Sequence, residues 1–160
     1  MVKVCRIDER LLHGQVAVTW INEINPDAII IANDEIMNDE IAKFALKMAK
    51  PEGMKMAIRS INDAIAMIND PETKNLGLFI LVKNIHDAKR IADSTKIDYI
   101  NMGRIYSKEG TVKVDNNTPI TKNDADDLVS LYDKVDRIEY QMVPSEKAKD
   151  IKRILRKGEY

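Results

Sequence analysis

One segment, Arg6-Ile-Asp-Glu-Arg-Leu-Leu-His-Gly-Gln-Val16, connects a stretch with a strand pattern to a stretch with a helix pattern. Residues 2–7, which overlap its beginning, alternate apolar and polar side chains, and after it the apolar residues up to Ile24 recur at helical spacing. His13 and Gly14 therefore fall at the start of a predicted helix, where free backbone N–H groups and the helix dipole favour an anion. The segment predicts an anion-binding connection between a strand and a helix.

Strand-like and helix-like stretches alternate along the rest of the chain, which predicts an α/β fold with a mainly parallel sheet. Residues 28–32 and 78–82 are continuously apolar, as is typical of interior strands covered by helices on both faces. The strand at 136–142 alternates more and is placed toward a sheet edge. The predicted strands cover 2–8, 27–32, 54–59, 77–82, 97–102 and 136–142, and the predicted helices cover about 14–24, 35–49, 61–69, 85–95, 122–134 and 145–156.

Polar residues mark the predicted helix starts. Ser60, Asn84 and Thr121 each precede an acid three positions later, a pairing that satisfies free N–H groups at the beginning of a helix. Asp34 is predicted to cap the helix after the second strand in the same way. Local sequence patterns therefore predict where these helices begin.

Size and charge limit the classes of partner. The chain has 160 residues, which predicts a single domain over 1–160. Lys plus Arg is 25 against 26 for Asp plus Glu, a net charge of −1 that does not favour nucleic acid or an anionic membrane as the main partner. The lone cysteine, Cys5, and an N-terminus without a signal-peptide pattern predict the cytoplasm. The longest apolar runs are far shorter than the roughly 18 residues of a membrane span, so membrane association is expected only through partners.

His13 is the strongest candidate for chemistry. Neutral imidazole is a nucleophile near pH 7, since its ordinary pKa is about 6.5, and its N–P bond is labile enough to pass a phosphoryl group on. Arg10 offers a planar charged fork for phosphate oxygens, and Asp8 could orient either Arg10 or the imidazole. Gly14 lets the backbone approach a phosphate. The alternative is structural, with His13 as a helix-start residue and Arg10 as a surface ion-pair partner.

Residues that follow the other predicted strands are further candidates, because ligands of open parallel sheets bind beyond the carboxyl ends of the strands. Asn33 and Asp34 follow the second strand and Lys83 follows the fourth. These three could touch a substrate or cap helices, and capping is favoured for Asp34. The complete set that follows predicted strands is Asp8, Arg10, His13, Asn33, Asp34, Ser60, Lys83, Asn84, Asn101 and Gly103.

No cofactor or metal is predicted. One cysteine and two separated histidines do not give the spacing of a zinc site, and the sequence has no glycine-rich Walker loop or dinucleotide fingerprint. Cys5 lies in a predicted strand and Trp20 in a predicted helix, so both are expected to be buried core residues.

The opening segment, followed by Trp20, resembles the signature of the IIB subunits of the mannose/fructose/sorbose family of the bacterial sugar phosphotransferase system. The resemblance extends over essentially the whole chain. It implies a three-layer α/β sandwich, with a mainly parallel central sheet, helices on both faces and an antiparallel edge strand. Further similar segments are Asn33-Asp-Glu35, Ala49-Lys-Pro51, Asn101-Met-Gly103 and Val143-Pro144.

By this resemblance, His13 matches the histidine that the phosphorylated IIA subunit phosphorylates at Nδ1, and Arg10 and Asp8 match the arginine and the acid of its loop. The implied activity is that of a protein-Nπ-phosphohistidine–sugar phosphotransferase. The group would pass to a hexose or amino sugar translocated by the membrane subunits IIC and IID. The expected phosphate- or substrate-binding residues are Gly14, Gln15, Asn33, Asp34 and Lys83.

Two points stay open in the sequence. Arg104 departs from the family pattern, where many members carry a second glycine, and the loop 103–119 around a short strand at 111–114 is expected to face a partner. Neither the sugar nor the oligomeric state is encoded in a readable pattern, and a homo-oligomer remains an alternative. The competing interpretation of function is a non-catalytic α/β module that binds an anion, or regulates, through the same helix-start pocket.

Overall fold

The computed structural model describes residues 1–14, 16–105, 111–113 and 119–156. Strands and helices alternate through these ranges, as the sequence predicts. A π-helical turn at Val16–Trp20 leads into the first helix, and 3-10 turns lie at Glu35–Asn38 and Pro71–Thr73. The strands are β1 (Val2–Ile7), β2 (Ala28–Ala32), β3 (Lys55–Arg59), β4 (Leu78–Val82), β5 (Tyr99–Met102), β6 (Thr111–Lys113), β7 (Pro119–Thr121), β8 (Arg137–Tyr140) and β9 (Lys149–Asp150). The helices are α1 (Ile21–Ile24), α2 (Glu40–Ala49), α3 (Ile61–Asn69), α4 (Ile85–Ser94), α5 (Lys122–Ser130) and α6 (Ile151–Arg156).

The central sheet has seven strands within the described ranges, in the order β3-β2-β4-β1-β5-β8-β9. Its strand pairs are parallel except β8 with β9, which is antiparallel, and β6 pairs with β7 in a separate antiparallel ribbon. The predicted parallel sheet with an antiparallel edge is therefore confirmed. Strands β2 and β4 are interior as predicted, and β8, predicted toward an edge, is covered only by the two-residue β9.

Two cores lie on opposite faces of this sheet. The connections from β1 to β2 and from β2 to β3 cross it in one direction, and those from β3 to β4 and onward cross it in the other. Because parallel crossovers are right-handed, α1 and α2 cover one face and α3 to α6 cover the other. Within β1, Val4 packs in the core beneath α1 and α2, whereas Cys5 and Ile7 pack in the core beneath α3 to α6, as the two-residue period of a strand requires. The chain reverses its direction across the sheet at β3, so the connections that follow β1 and β4 lie on opposite faces.

Three predicted helix caps are confirmed and one is wrong. The side chains of Ser60, Asn84 and Thr121 accept from the backbone N–H three residues later. Asp34 caps nothing at the predicted helix 35–49, because extended backbone at Asp39 divides it into a 3-10 turn and α2, and Asp39 caps α2 through the N–H of Ala42. The carboxylate that follows β2 points instead toward α3.

The C-terminal third differs from the sequence-based assignment. The helix predicted at 145–156 begins only at Ile151, since the side-chain amide of Gln141 donates to the carbonyls of Pro144 and Glu146 and holds the preceding residues in a loop. The predicted short strand at 111–114 exists as β6, with a partner strand, β7, that was not predicted. The remainder of that loop from 106 lies outside the described residues. No helix within the described ranges has the length and apolar character to cross a membrane, and the single domain over 1–160 stays a prediction.

Candidate functional site

The loop after β1 is anchored by two buried leucines. Leu11 and Leu12 pack into the core formed with α1 and α2, and Leu11 takes a left-handed conformation with φ of 55°. Its N–H donates to the carbonyl of Asp8 at 2.9 Å, which closes a tight turn. Non-glycine residues adopt this conformation only where the surrounding structure enforces it. The turn holds Arg10 and His13 on either side of the anchor.

Asp8 is fully buried and ties the loop together. Its Oδ1 accepts from the N–H of Arg10 at 3.0 Å and from Arg10 Nε at 3.2 Å, and its Oδ2 accepts from Arg10 Nη2 at 3.3 Å. On the other side, Arg6 Nη2 donates to Oδ2 at 3.4 Å. The two guanidinium groups offset the cost of burying the carboxylate. His13 completes the cluster, with Nε2 at 3.8 Å from Asp8 Oδ2.

His13 is partly exposed and its ring is held neutral. The side chain is 23 % exposed, while Nε2 is enclosed and makes no hydrogen bond to the part of the chain that the structure describes. Burial lowers the pKa of His13, and the nearby Arg10 charge lowers it further, whereas Asp8 opposes both effects. The neutral imidazole is therefore the main form at pH 7. A neutral ring with one enclosed nitrogen can act as a nucleophile only through the other.

Arg6 has a role that the sequence analysis did not assign. Its guanidinium hydrogen bonds to the side-chain oxygen of Asn101, and donates to the carbonyls of Gln141 at 3.1 Å and Met142 at 3.0 Å. It also stacks over the ring of Trp20, 4.5 Å from the ring centre, and burial lowers the pKa of Arg6 to about 10, which leaves it charged at pH 7. The available signal was the position of Arg6 within strand β1, where Lys3 is the other charged residue.

Gly103 is required by this arginine. A side-chain carbon at Gly103 would collide with the Arg6 guanidinium and would come within 3.0 Å of Asp8 Oδ2. The glycine after β5 therefore makes room for the group that braces Asp8. Gly103 and Asn101 were among the strand-end residues of the sequence, but their spacing alone did not link them to Arg6.

Trp20, predicted as a core residue, is confirmed as buried and donates from Nε1 to the carbonyl of Met142 at 3.0 Å.

A cavity of about 560 Å³ opens beside His13, between the loop after β1 and α2. Its polar wall includes five of the eight predicted site residues, and its other wall is formed by alanine and leucine side chains of α2. Asp8 lies beneath this cavity and holds Arg10. The five predicted residues that line it are Arg10, His13, Gly14, Asn33 and Lys83.

Asp34, another predicted residue, is not on the wall of this cavity. Asp34 faces a neighbouring cavity of about 320 Å³, accepts from the N–H of Ile61 at 2.9 Å and pairs with Arg90 at 2.8 Å. The hydrogen bond from Arg90 lowers the pKa of Asp34. Asn33 accepts from the N–H of Ile36 at 3.0 Å, so it supports the 3-10 turn beside the cavity. Gln15 lies outside the described residues.

Comparisons with known proteins agree with this architecture. Residues 2–160 match the model of the PTS system sorbose subfamily IIB component. The chain is 40% identical over 118 residues to a probable phosphotransferase enzyme IIB component of Streptococcus pyogenes, covering 71% of this chain and 72% of that protein. It is 30% identical over 155 residues to the sorbose-specific EIIB component of Lacticaseibacillus casei, covering 94% and 93%.

A solved structure extends the agreement to the fold. The crystal structure of the IIBSor domain of the sorbose permease from Klebsiella pneumoniae superimposes with a TM-score of 0.91 at 27% identity, covering 100% of this chain and 99% of that one. Fold and sequence together define the class as a IIB component of the sugar phosphotransferase system. Within that class, the chain belongs to the sorbose subfamily of the mannose/fructose/sorbose family.

Proposed function

We propose that this chain is the phosphocarrier of a sugar phosphotransferase transporter. A IIB component works with a IIA component and a membrane IIC component. In the proposal, His13 accepts a phosphoryl group from phosphorylated IIA and transfers it to a hexose or amino sugar translocated by IIC and IID. These partners would hold the chain in the cytoplasm at the membrane complex. The observation that carries the proposal is a neutral, reachable imidazole beside a braced arginine.

The surroundings of His13 favour Nδ1 as the nucleophile. Nε2 is enclosed on the side of Asp8, so a proton on Nε2 would face the carboxylate and the lone pair would remain on Nδ1. Attack by Nδ1 forms the new N–P bond as the bond between phosphorus and the donor histidine breaks. In the later attack, a sugar hydroxyl forms an O–P bond as the Nδ1–P bond breaks, which releases the neutral ring, and the hydroxyl proton passes to water.

Arg10 is positioned to neutralise the moving phosphoryl group. Asp8 holds the guanidinium by the edge that carries Nε and Nη2, so the edge that carries Nη1 is directed away from the carboxylate. Phosphoryl transfer needs positioning and charge neutralisation more than covalent chemistry by the protein. Lys83, on the wall of the same cavity, supplies a second positive charge.

Labelling with phosphoenolpyruvate tests the proposal. The full chain is incubated with the general phosphotransferase proteins, the cognate IIA and labelled phosphoenolpyruvate. Wild type and His86→Ala should take up label, while His13→Ala should stay unlabelled. His86 is the matched control because it is the other histidine and is exposed on α4, paired with Asp127. Label that persists in His13→Ala would reject the assignment.

A non-catalytic anion-binding or regulatory module is the alternative function. Protection by phosphate against thermal unfolding is expected in both cases, because any ligand of the folded state stabilises it. Transfer of the phosphoryl group to a sugar distinguishes the carrier from the non-catalytic module. In membranes that contain the cognate IIC and IID, the proposed carrier delivers label to a sugar, and a panel of hexoses and amino sugars would identify which one.

A further inference from the structure

Helix α2 carries a stripe of large apolar side chains on its exposed face. Ile41, Phe44 and Met48 are 85%, 64% and 70% exposed, and they are half of the exposed large apolar residues in the described ranges. At about 100° per residue, the three lie within a sector of about 60°. We call these three residues the α2 stripe. Isolated exposed apolar residues are ordinary, but a contiguous set on one helix face indicates a surface that another molecule covers.

The α2 stripe is continuous with the cavity beside His13. Around the helix axis, Ala45 lies next to Ile41, and beyond it Ala42 and Leu46 form the apolar wall of that cavity. The apolar surface therefore extends from the exposed face of α2 into the cavity that His13 lines. A molecule seated on the α2 stripe would border the cavity that His13 lines.

Charged side chains border the α2 stripe on its other side. Glu40 and Lys47 lie about 40° and 60° beyond Phe44 around the helix, and Lys43, which pairs with Glu40 at 3.3 Å, follows them. Together with Arg59 at the end of β3, these lysines line a groove of about 280 Å³. A complementary partner would present an apolar hollow with a carboxylate placed to meet Lys47 and a basic group placed to meet Glu40.

The size of the α2 stripe fits a short-lived complex. Three side chains cover a few hundred Å², well below the roughly 800 Å² per partner of a stable interface. A carrier that alternates between a donor and an acceptor needs such weak contacts. The apolar wall of alanine and leucine also suits the flank of a protein segment better than a sugar, whose hydroxyls need polar partners.

We propose that the α2 stripe is the docking surface for the phosphoryl donor, phosphorylated IIA. Ile41, Phe44 and Met48 would enter an apolar hollow on the donor, and Lys47 would meet carboxylates at its edge. The contact would place the donor's phosphohistidine in the cavity beside His13. This inference rests on the proposed function and names the surface by which the donor is recognised.

Steady-state phosphorylation by purified, prephosphorylated cognate IIA tests the docking surface. Phe44→Ser should raise the KM for the donor about tenfold and leave kcat nearly unchanged, because it removes a contact made outside the reaction itself. The triple variant, with serine at Ile41, Phe44 and Met48, should raise the KM for the donor further. Lys47→Glu should also raise this KM. Val129→Ser is the matched control, because Val129 is exposed on α5, on the opposite face of the sheet.

The outcomes separate the possible occupants. An unchanged donor KM in both Phe44→Ser and the triple variant, with unchanged melting temperatures, overturns the inference. It is equally overturned if Phe44→Ser impairs only sugar phosphorylation, abolishes a dimer seen by sedimentation, or abolishes binding to anionic lipid vesicles. Failure of wild type to take label, or label that survives His13→Ala, would instead defeat the proposed function itself.

Discussion

A single buried carboxylate organises the charges around the reacting ring. Asp8 contacts two guanidinium groups and lies near the imidazole of His13. The carboxylate favours the protonated ring, while burial and Arg10 favour the neutral ring, and the neutral form prevails. The protonation state of His13 is thus a balance among its neighbours, and each neighbour can be tested by removing its charge.

The pKa of His13 should lie below the ordinary value of about 6.5. Asp8→Asn should lower that pKa further, because it removes the negative charge that opposes burial, and Arg10→Gln should raise it, because it removes a positive charge. Titration by NMR of the His13 ring protons measures all three values. Because the neutral ring is the nucleophile, the rate of phosphoryl transfer should fall as the pH drops through the measured pKa. A pKa above the ordinary value in wild type would contradict the electrostatic account.

Arg10→Lys should fold normally and transfer phosphate slowly. Lysine keeps the charge but loses the planar fork that binds Asp8 by one edge and a phosphate by the other. We expect a loss of about tenfold or more in the transfer rate, equivalent to roughly 1.4 kcal/mol. Arg137→Lys, at an exposed pair with Glu139, is the control and should transfer at the wild-type rate. Wild-type kinetics in Arg10→Lys would remove Arg10 from the mechanism.

At the level of elements, Arg6 joins four parts of the chain. It links β1 to the end of β5, to the loop after β8 and to Trp20, which ends the π-helical turn. These contacts are between residues about 95 and 135 positions apart in sequence. The loop that carries His13 is therefore positioned by parts of the chain distant in sequence.

Gly103→Ala should destabilise the protein and slow transfer. The added carbon would displace the Arg6 guanidinium and leave a buried carboxylate with one fewer partner, at a cost of about 2–3 kcal/mol. Urea unfolding measures the loss of stability. Gly77→Ala serves as the control, because its added carbon would meet chiefly the flexible end of Lys3. Equal stabilities of the two variants would contradict the tight packing at Gly103.

Asp39→Ala should lower the free energy of unfolding by about 1 kcal/mol, the usual value of a lost N-cap. The Asp39 side chain accepts from the N–H of Ala42 at 3.0 Å at the start of α2. Asp39→Asn keeps an acceptor and should remain close to wild type in the same urea experiment. Equal losses in both variants would show that the carboxylate stabilises the protein by charge and not by capping.

At the scale of the whole molecule, β1 is both the centre of the sheet and the origin of the reacting loop. The neighbouring strands β4 and β5 pair with it on either side. Because the crossovers leave β1 and β4 toward opposite faces, a crevice forms beyond their carboxyl ends, and His13 and Lys83 meet there. The stability of the core and the geometry of the site are thus supported by the same strand.

Cys5 reports on the integrity of that strand. Its thiol is fully buried in β1, and burial raises its pKa to about 12. We expect negligible reaction with a disulfide reagent at pH 8 in the native state, and rapid reaction once denaturant unfolds the chain, because the thiolate is the reactive form. Rapid modification under native conditions would show that β1 opens without global unfolding.

Much of this organisation is local and was predictable. Apolar runs at 28–32 and 78–82 identified the interior strands, and short capping patterns at Ser60, Asn84 and Thr121 located helix starts, because both signals act between near neighbours in sequence. The position of His13 after β1 was predictable for the same reason. Asp34 was misassigned, because its partners, Ile61 and Arg90, are brought to it only by the fold.

Local sequence patterns were enough to predict the α/β class, the order of most elements and the residue types gathered after β1. The folded chain was needed to show that Arg6 braces Asp8, that Gly103 must be a glycine, and that α2 presents its apolar stripe beside the cavity of His13. The difference lies in the distance along the chain over which each interaction acts. Hydrophobic period and capping act within a few residues, whereas a buried charge is stabilised by whichever groups the sheet order brings within hydrogen-bond distance.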